Sequence, residues 1–423
     1  MFSTLKKSFQ IKAIRKKIFI VLFIILISRI VAHIPLPGID REGLSSLFSS
    51  NQLLGLIDLF QGGSLSRFSL ASVGLSPYIT ASIVIQMLTM VIPSMEELSK
   101  EGAYGYEKIN RYTKLLTLPL SLLQSFGLFI LFSKQGLFQS LGILDITTII
   151  IALVAGSFIL MWLGDLITEQ NIGQGISILI LVSILSRLPS SFQSLLVASQ
   201  SGNILNILLF LVVSAAVVAG VVFVTDAVRK IQIAYANANT QNYQADSYLP
   251  LRVNQAGVIP IIFAISVVLI PSILGGFLSQ LSNNNFANIG SFLTENFRTD
   301  SLYYNVFYFV LVVIFTFFYT AVSFNPEKVA DDLKNRGGFI PGIRPGRATE
   351  DYLNKILTRI TLVGALFLGI VAILPSIASV ITGVNVITIG GTGVLIVVSV
   401  IIEMLKQLES QIIMYEYDDI ALT

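Results

Sequence analysis

Ten apolar runs dominate this chain, near residues 18–36, 76–93, 114–133, 147–164, 172–188, 204–225, 256–274, 304–323, 360–380 and 386–402. Most approach the roughly 20 residues a helix needs to cross a bilayer. The runs at 76–93 and 172–188 are short. None alternates with the two-residue period of a membrane barrel strand, so all read as helices. Only 12% of residues are charged and 54% are hydrophobic, whereas a soluble domain carries about 25% charged residues. The expected fold class is an all-α polytopic membrane protein with ten transmembrane helices.

Lysine and arginine set the expected topology, because they collect on the cytosolic side. If ten spans alternate, 21 of the 27 basic residues fall on one side and 5 on the other, with Arg29 inside the first span. Both termini then face the cytosol or its equivalent. The first run ends in IPLPGI rather than a small-residue cleavage site, so it reads as a retained span. Two halves, 1–200 and 201–423, carry five spans each. An odd number inverts the second half relative to the first, which permits an inverted repeat with a site between the halves. No residue-level identity links the two halves.

One run does not behave as a simple span. Phe60 to Pro93 reads FQGGSLSRFSLASVGLSPYITASIVIQMLTMVIP. Gly62-Gly63 opens it as a turn. A short mixed helix is expected next, carrying Arg67 and Ser64, Ser66, Ser69 and Ser72, until Gly74 and Pro77 break it. Only Ser76 to Ile92 approaches a span. Irregular backbone at membrane depth is tolerated where protein buries it or a wet cavity lies beside it. The stretch therefore reads either as a segment at a cavity inside the bilayer or as a re-entrant interfacial loop.

The pieces between spans are uneven. On the outer side, 37–75 and 275–303 are moderate loops. On the inner side, 226–255 and 324–358 are long. Residues 229–255 alternate apolar and polar around Ile231, Ile233 and Tyr235, with an Asn-rich middle, and read as a β-hairpin. In the second loop Asn325-Pro326 starts a helix to about Asn335, which Gly337-Gly338 stops. Pro341-Gly342-Ile343-Arg344-Pro345-Gly346 makes a rigid double turn that presents Arg344, either to a partner or to solvent.

Much chemistry is missing. There is no cysteine and a single histidine, His33, so disulfides and two-histidine metal sites are excluded. His33 reads as an interfacial side chain. Arg29 alone lies clearly within a span, with Asp165, Glu169 and Glu403 at span ends, so a coupling carboxylate at midplane is lacking. Gly390-Gly391-Thr392-Gly393 lacks the lysine and the strand–turn–helix setting of a phosphate loop. These gaps point away from an enzyme and from any cofactor, and an energy source would have to come from a partner. Gln86 in span two and Asn254 and Gln255 opening span seven are uncharged polar groups, open to helix-to-helix hydrogen bonding or to function.

Several stretches together resemble the SecY family, the central subunit of the protein-conducting channel. They are IPLPGID (34–40), FQGGSLSRFSLASVGLSPYITASIVIQMLT (60–89), MWLGDLITEQNIGQGISILI (161–180), LPLRVNQAGVIPIIFA (249–264), FNPEKVADDLKNRGGFIPGIRPG (324–346), TRITLVGAL (358–366) and GGTGVLIVV (390–398). They occur in the family's order over nearly the whole chain. The resemblance implies two inverted five-helix halves around a central pore, and transport of unfolded preproteins with lateral release of transmembrane segments into lipid. It implies a plug over 62–75 containing Gly62, Gly63 and Arg67. A hydrophobic ring would consist of Leu75, Ile79, Ile83, Ile176, Ile180, Ile262 and Ile396; isoleucine is commoner in the family at the place of Leu75. Gln86 and Asn254 match polar positions of the lateral gate. Lys334, Arg336, Arg344 and Arg347 match the surface that docks the ribosome and the motor ATPase SecA. The 235–247 segment departs from bacterial members in having no lysine or arginine. Implied partners are SecE-type and SecG-type subunits, SecA, the ribosome, preproteins with signal sequences, and membrane lipid. The wording of 249–264 and the Asn-, Ile- and Phe-rich bias resemble cyanobacterial or plastid members, which would place the chain in a plasma or thylakoid membrane.

Two rival readings stand beside this one. A secondary transporter with discontinuous helices would require the midplane carboxylate that is missing. A scaffold of the same fold that has lost transport is opposed by the intact apolar ring and plug.

Overall fold

A computed structural model describes residues 7–50, 52–138, 142–200, 204–235, 248–279, 284–298, 301–382 and 391–422. The ten apolar runs fall on ten helices: Lys12–Val31, Ser76–Val91, Ala103–Lys134, Ile143–Glu169, Gly175–Gln200, Ile204–Asp226, Ile259–Leu278, Leu302–Ser323, Arg347–Thr382 and Gly391–Leu422. Among the described residues, five (spans three, four, seven, eight and nine) suffice to cross a bilayer by length and apolarity alone. A sixth does so if the bent pair Ser76–Val91 and Pro93–Lys100 counts as one.

Several helices outrun their apolar cores. Ala103–Lys134 has 32 residues, a rise of about 48 Å against about 30 Å of hydrocarbon. Its extra turns carry Lys108 and Arg111, which need water. Span two is cut short instead. Ile92 precedes a proline and is extended at φ −98° and ψ 112°, because a residue before proline is pushed out of the helical region. The chain turns 101° there, and Pro93 starts the next helix, where its missing N–H costs nothing.

The chain divides into two compact units. The first comprises 1–210 with 379–423, and the second 211–378. Span ten packs in the first unit: a Cβ on Gly173 would lie 3.1 Å from Met404, and one on Gly393 would lie 3.4 Å from Ile184. Spans four and five cross closely through glycine, since a Cβ on Gly175 would fall 1.8 Å from the Gly164 carbonyl oxygen. Small residues at such crossings let helices approach within hydrocarbon, where no hydrophobic force drives them together.

The second unit carries the β-structure. Strand β1, Val228–Gln232, pairs antiparallel with β3, Tyr248–Arg252, setting Ile231 opposite Leu249. This is the expected hairpin, and its Asn-rich middle, 236–247, lies outside the described residues. A second pairing was not foreseen: β2, Ala234–Tyr235, pairs with β4, Gly338–Phe339, from the other long loop. The two loops thus form one platform. Ile231, Leu251, Ile340 and Leu353 are its buried core, with Ile343 packed against them. Leu353 is fully buried. Leu353→Ala should cost about 2–5 kcal/mol. Limited proteolysis should then cut the platform faster while the spans stay protected; an unchanged rate would show that this core does not hold the loops together.

Candidate functional site

The segment from Gln61 to Leu75 is not the short helix expected from its composition. It is a chain of turns. Gly62, Gly63, Phe68 and Gly74 all have positive φ, at 67°, 83°, 46° and 61°, which no right-handed helix accommodates. The serines supply an alternative to the helical ladder. Ser64 Oγ lies 2.9 Å from the carbonyls of both Gln61 and Ala71. Ser69 Oγ and Ser72 Oγ reach the Ser64 carbonyl at 3.2 and 2.9 Å. All three serines are fully buried, so their hydroxyls serve the backbone within the segment.

Apolar packing seats the segment in the first unit. The Leu36 amide donates to Phe68 O and the Leu70 amide to Ile34 O, each at 2.9 Å. The proline-rich stretch after span one therefore pairs with the segment as a short ladder. Phe68 is wholly buried and meets Phe132 and Phe138 edge-on at 5.6 and 5.5 Å. Span four comes so close that a Cβ on Gly156 would fall 1.8 Å from Leu70 O.

A polar cluster holds the beginning of the segment. Asp58, 2% exposed, forms an ion pair with Arg187 of span five. Its Oδ1 also accepts the Ser66 amide at 2.9 Å, and Arg187 donates to Ser66 Oγ at 2.8 Å. Arg29 of span one donates to Ser186 Oγ and Ser183 Oγ, each at 2.9 Å. Both glycines of the turn face this cluster. A Cβ on Gly62 would lie 2.7 Å from an Arg29 nitrogen, and one on Gly63 would lie 3.0 Å from Arg187 Nε. Gly62 and Gly63 are thus required twice, by backbone angle and by the guanidinium groups against them.

Arg67 points the other way, to the exposed side, where it donates to His33 Nε2 at 2.5 Å. His33 Nδ1 lies 2.7 Å from the Arg29 carbonyl. A carbonyl only accepts, so the pair of contacts selects the Nδ1–H tautomer. His33 is more than an interfacial side chain: it ties span one to the segment. The sequence reading missed Asp58, Arg187 and His33 as partners, because Asp58 stands 129 positions from Arg187, Arg187 stands 121 from Ser66 and His33 stands 34 from Arg67. Only the rarity of charge in this chain marked them.

The apolar candidates follow directly. Leu75, Ile79 and Ile83 recur at four-residue spacing from the end of the segment into span two, and Ile176 and Ile180 do so in span five. Leu75 packs with Ala71, Val31 and Leu160. Ile83, Ile180 and Ile396 are buried. These six belong to the first unit and Ile262, half-buried on span seven, to the second.

Gln86 lies mid-helix and donates to Ser82 Oγ at 3.1 Å. Asn254 does not open the helix of span seven, which starts at Ile259. It sits in the preceding bend, 4% exposed, and donates to Gly257 O at 3.2 Å. Each leaves a buried amide oxygen without a hydrogen-bond partner among the described residues.

On the platform, Lys334, Arg336, Arg344 and Arg347 are all exposed. Asn325 caps the Pro326–Asn335 helix by accepting the Lys328 amide at 3.1 Å. Gly337, Gly342 and Gly346 turn with φ of 70°, 82° and 95°, and Thr349 Oγ1 donates to Arg344 O at 2.9 Å. Buried Ile340 and half-buried Ile343 flank the turn, so Arg344 projects from an anchored loop.

Comparison with known proteins places this geometry. The sequence profile of the SecY family matches residues 69–405. A protein translocase subunit SecY of Streptomyces galbus is 41% identical over 438 residues, covering 99% of both chains. That of Mycobacterium tuberculosis is 39% identical over 446 residues, again covering 99% of each. Among solved structures, a protein-conducting channel superposes with a TM-score of 0.66 at 18% identity, over 93% of this chain and 91% of that one. Sec61 in the canine ribosome–channel complex gives a TM-score of 0.62 at 17% identity, over 93% and 91%. The chain belongs to the SecY family.

Proposed function

We propose that the chain is the channel-forming subunit of a protein translocase, which passes unfolded preproteins across the membrane and releases transmembrane segments into lipid. The observation that carries this reading is an irregular segment, 62–75, held by its own buried serine hydroxyls and by Asp58, leading straight into the apolar stripe of Leu75, Ile79 and Ile83. On this reading 62–75 is the plug. The stripe, with Ile176, Ile180, Ile262 and Ile396, forms a ring that dewets against ions yet deforms around a passing chain. Branched apolar side chains offer no charge to trap a substrate. The channel needs no cofactor and performs no covalent chemistry.

Gln86 and Asn254 line the lateral gate, and their orphaned amide oxygens receive donors from an entering signal sequence. An unmade hydrogen bond in apolar surroundings costs about 1–3 kcal/mol, which favours occupancy by such a donor. The platform docks SecA and the ribosome through Lys334, Arg336, Arg344 and Arg347, with salt-sensitive contacts to ribosomal RNA. SecE-type and SecG-type subunits complete the complex. The lysine and arginine bias places the platform and both termini in the cytosol or stroma, and the residue bias favours a cyanobacterial or plastid membrane, the thylakoid included.

Two outcomes follow. Photoreactive residues at Ile79, Ile180 and Ile396 should each crosslink to a stalled secretory chain in membranes containing the partner subunits, and lose the adduct when the signal sequence is deleted. Adducts to lipid alone would remove the pore and restore the transporter reading. Arg344→Glu should slow SecA-driven translocation roughly tenfold or more with complex assembly unchanged. A rate equal to that of the unaltered channel would mean the loop is solvated and has no docking role.

A further inference from the structure

His33 is the only histidine in the chain. It stands just past the Lys12–Val31 helix of span one and touches both that span and the segment 62–75. Its Nδ1–H donates to the Arg29 carbonyl at 2.7 Å, which ties the ring to span one. Its Nε2 accepts from the Arg67 guanidinium at 2.5 Å, which ties the ring to the segment. Both side chains are exposed. Between them runs the short ladder in which the Leu36 amide meets Phe68 O and the Leu70 amide meets Ile34 O. Arg67 precedes one end of that ladder and His33 precedes the other, so their contact straps it from outside.

The strap needs a neutral ring. A guanidinium has five donors and no acceptor, so Nε2 must keep its lone pair. A proton on Nε2 would set one N–H against another and one positive charge against another. The bond from Nδ1 to the Arg29 carbonyl would survive, because that nitrogen is a donor already. Protonation therefore frees the segment and leaves the ring on span one. No neighbouring carboxylate offsets the added charge. Residues 1–39 contain neither Asp nor Glu. Asp40, further along the same stretch, accepts the Glu42 amide. Asp58, of the Gln52–Phe60 helix, is taken by Arg187 of span five. Asp145, at the start of span four, accepts the Gly142 amide. Arg29, one turn before His33, adds a further positive charge. Among the described residues, none of His33, Arg29 and Arg67 forms an ion pair with a carboxylate.

We propose that His33 is a proton-sensitive latch: neutral, it holds the segment 62–75 to span one, and protonated, it lets Arg67 go. Histidine is the side chain that changes charge between about pH 5 and 8. The neutral form makes the contact, so the strap is present at the upper end of that range and is lost as pH falls. The packing of Phe68 involves no group that titrates there, so acid loosens the seat without abolishing it. The latch itself concerns only how this segment is held. Its consequence, a channel that opens more readily when the outer compartment is acid, rests on the plug reading above.

Amide hydrogen exchange over residues 61–75 tests the latch, in the full chain assembled with its partner subunits in vesicles. His33→Gln is the reference, since its side-chain oxygen can accept from Arg67, its amide group can donate to the Arg29 carbonyl, and neither titrates. At about pH 7.5 the two proteins should exchange alike. At about pH 5.5 the unaltered chain should exchange roughly fivefold faster than His33→Gln; comparison at one pH cancels the intrinsic pH dependence of exchange. Arg67→Met should exchange faster than the unaltered chain at the higher pH and match it at the lower. Equal rates for the unaltered chain and His33→Gln at both pH values would overturn the proposal. Magnetic resonance of isotope-labelled histidine gives a second readout on the unaltered chain, because only one ring contributes: at the higher pH the proton should sit on Nδ1, and a proton on Nε2 would contradict the latch. Exchange that follows these expectations, with a resting conductance that acid leaves unchanged, would uphold the latch and count against the plug reading alone.

Discussion

Backbone amides and carbonyls have no water to bond with inside a bilayer, so any non-helical segment among the spans must be satisfied by protein. The architecture of the first unit turns on how that demand is met over 62–75. Three buried serine hydroxyls bond the segment's own carbonyls, a two-residue ladder ties it to the stretch after span one, and the Asp58 carboxylate takes the Ser66 amide. Asp58 is itself bearable only because Arg187 neutralises it. A buried carboxylate left alone costs several kcal/mol. The seat is therefore cooperative: Arg187 holds Asp58, Asp58 holds Ser66, and Ser66 Oγ in turn accepts from Arg187.

A seat of this kind would suit the proposed plug, which must both close and leave. If the segment is the plug proposed above, a segment welded in by apolar packing alone would resist displacement, whereas one held by hydrogen bonds and an ion pair could exchange them for water. Phe68 supplies the opposing, apolar hold. Its edge-on contacts with Phe132 and Phe138 anchor the middle of the segment, in a backbone conformation at φ 46° that is uncommon outside glycine. The same separation of duties recurs on the platform. Buried Ile340 and Leu353 fix the loop, and Arg336, Arg344 and Arg347 stand exposed on it.

The sequence made the ten helices legible because most apolar runs approach the length of a span, and it made the hairpin legible because Ile231 and Ile233 alternate with polar neighbours. It also located the special segment, since Gly62-Gly63 and Pro77 bracket it. The internal form of that segment was not legible. Ser64, Ser69 and Ser72 look like tolerated guests in a helix until their hydroxyls are seen bonding carbonyls up to eight residues away. Asp58, Arg187 and His33 could not be paired from spacing, because their partners lie from 34 to 129 positions away along the chain. The β2–β4 pairing joins residues about 100 positions apart in a two-residue ladder, too short to leave a pattern.

The most direct test of this account is the resting ion conductance of proteoliposomes that hold the assembled complex with Asp58→Ala. Removing the carboxylate strands Arg187 and the Ser66 amide, at a cost of about 2 kcal/mol to the seated state. The account predicts a resting leak roughly thirtyfold above that of the unaltered channel, with preprotein transport retained. A leak indistinguishable from the unaltered channel, in a complex that still translocates, would contradict it.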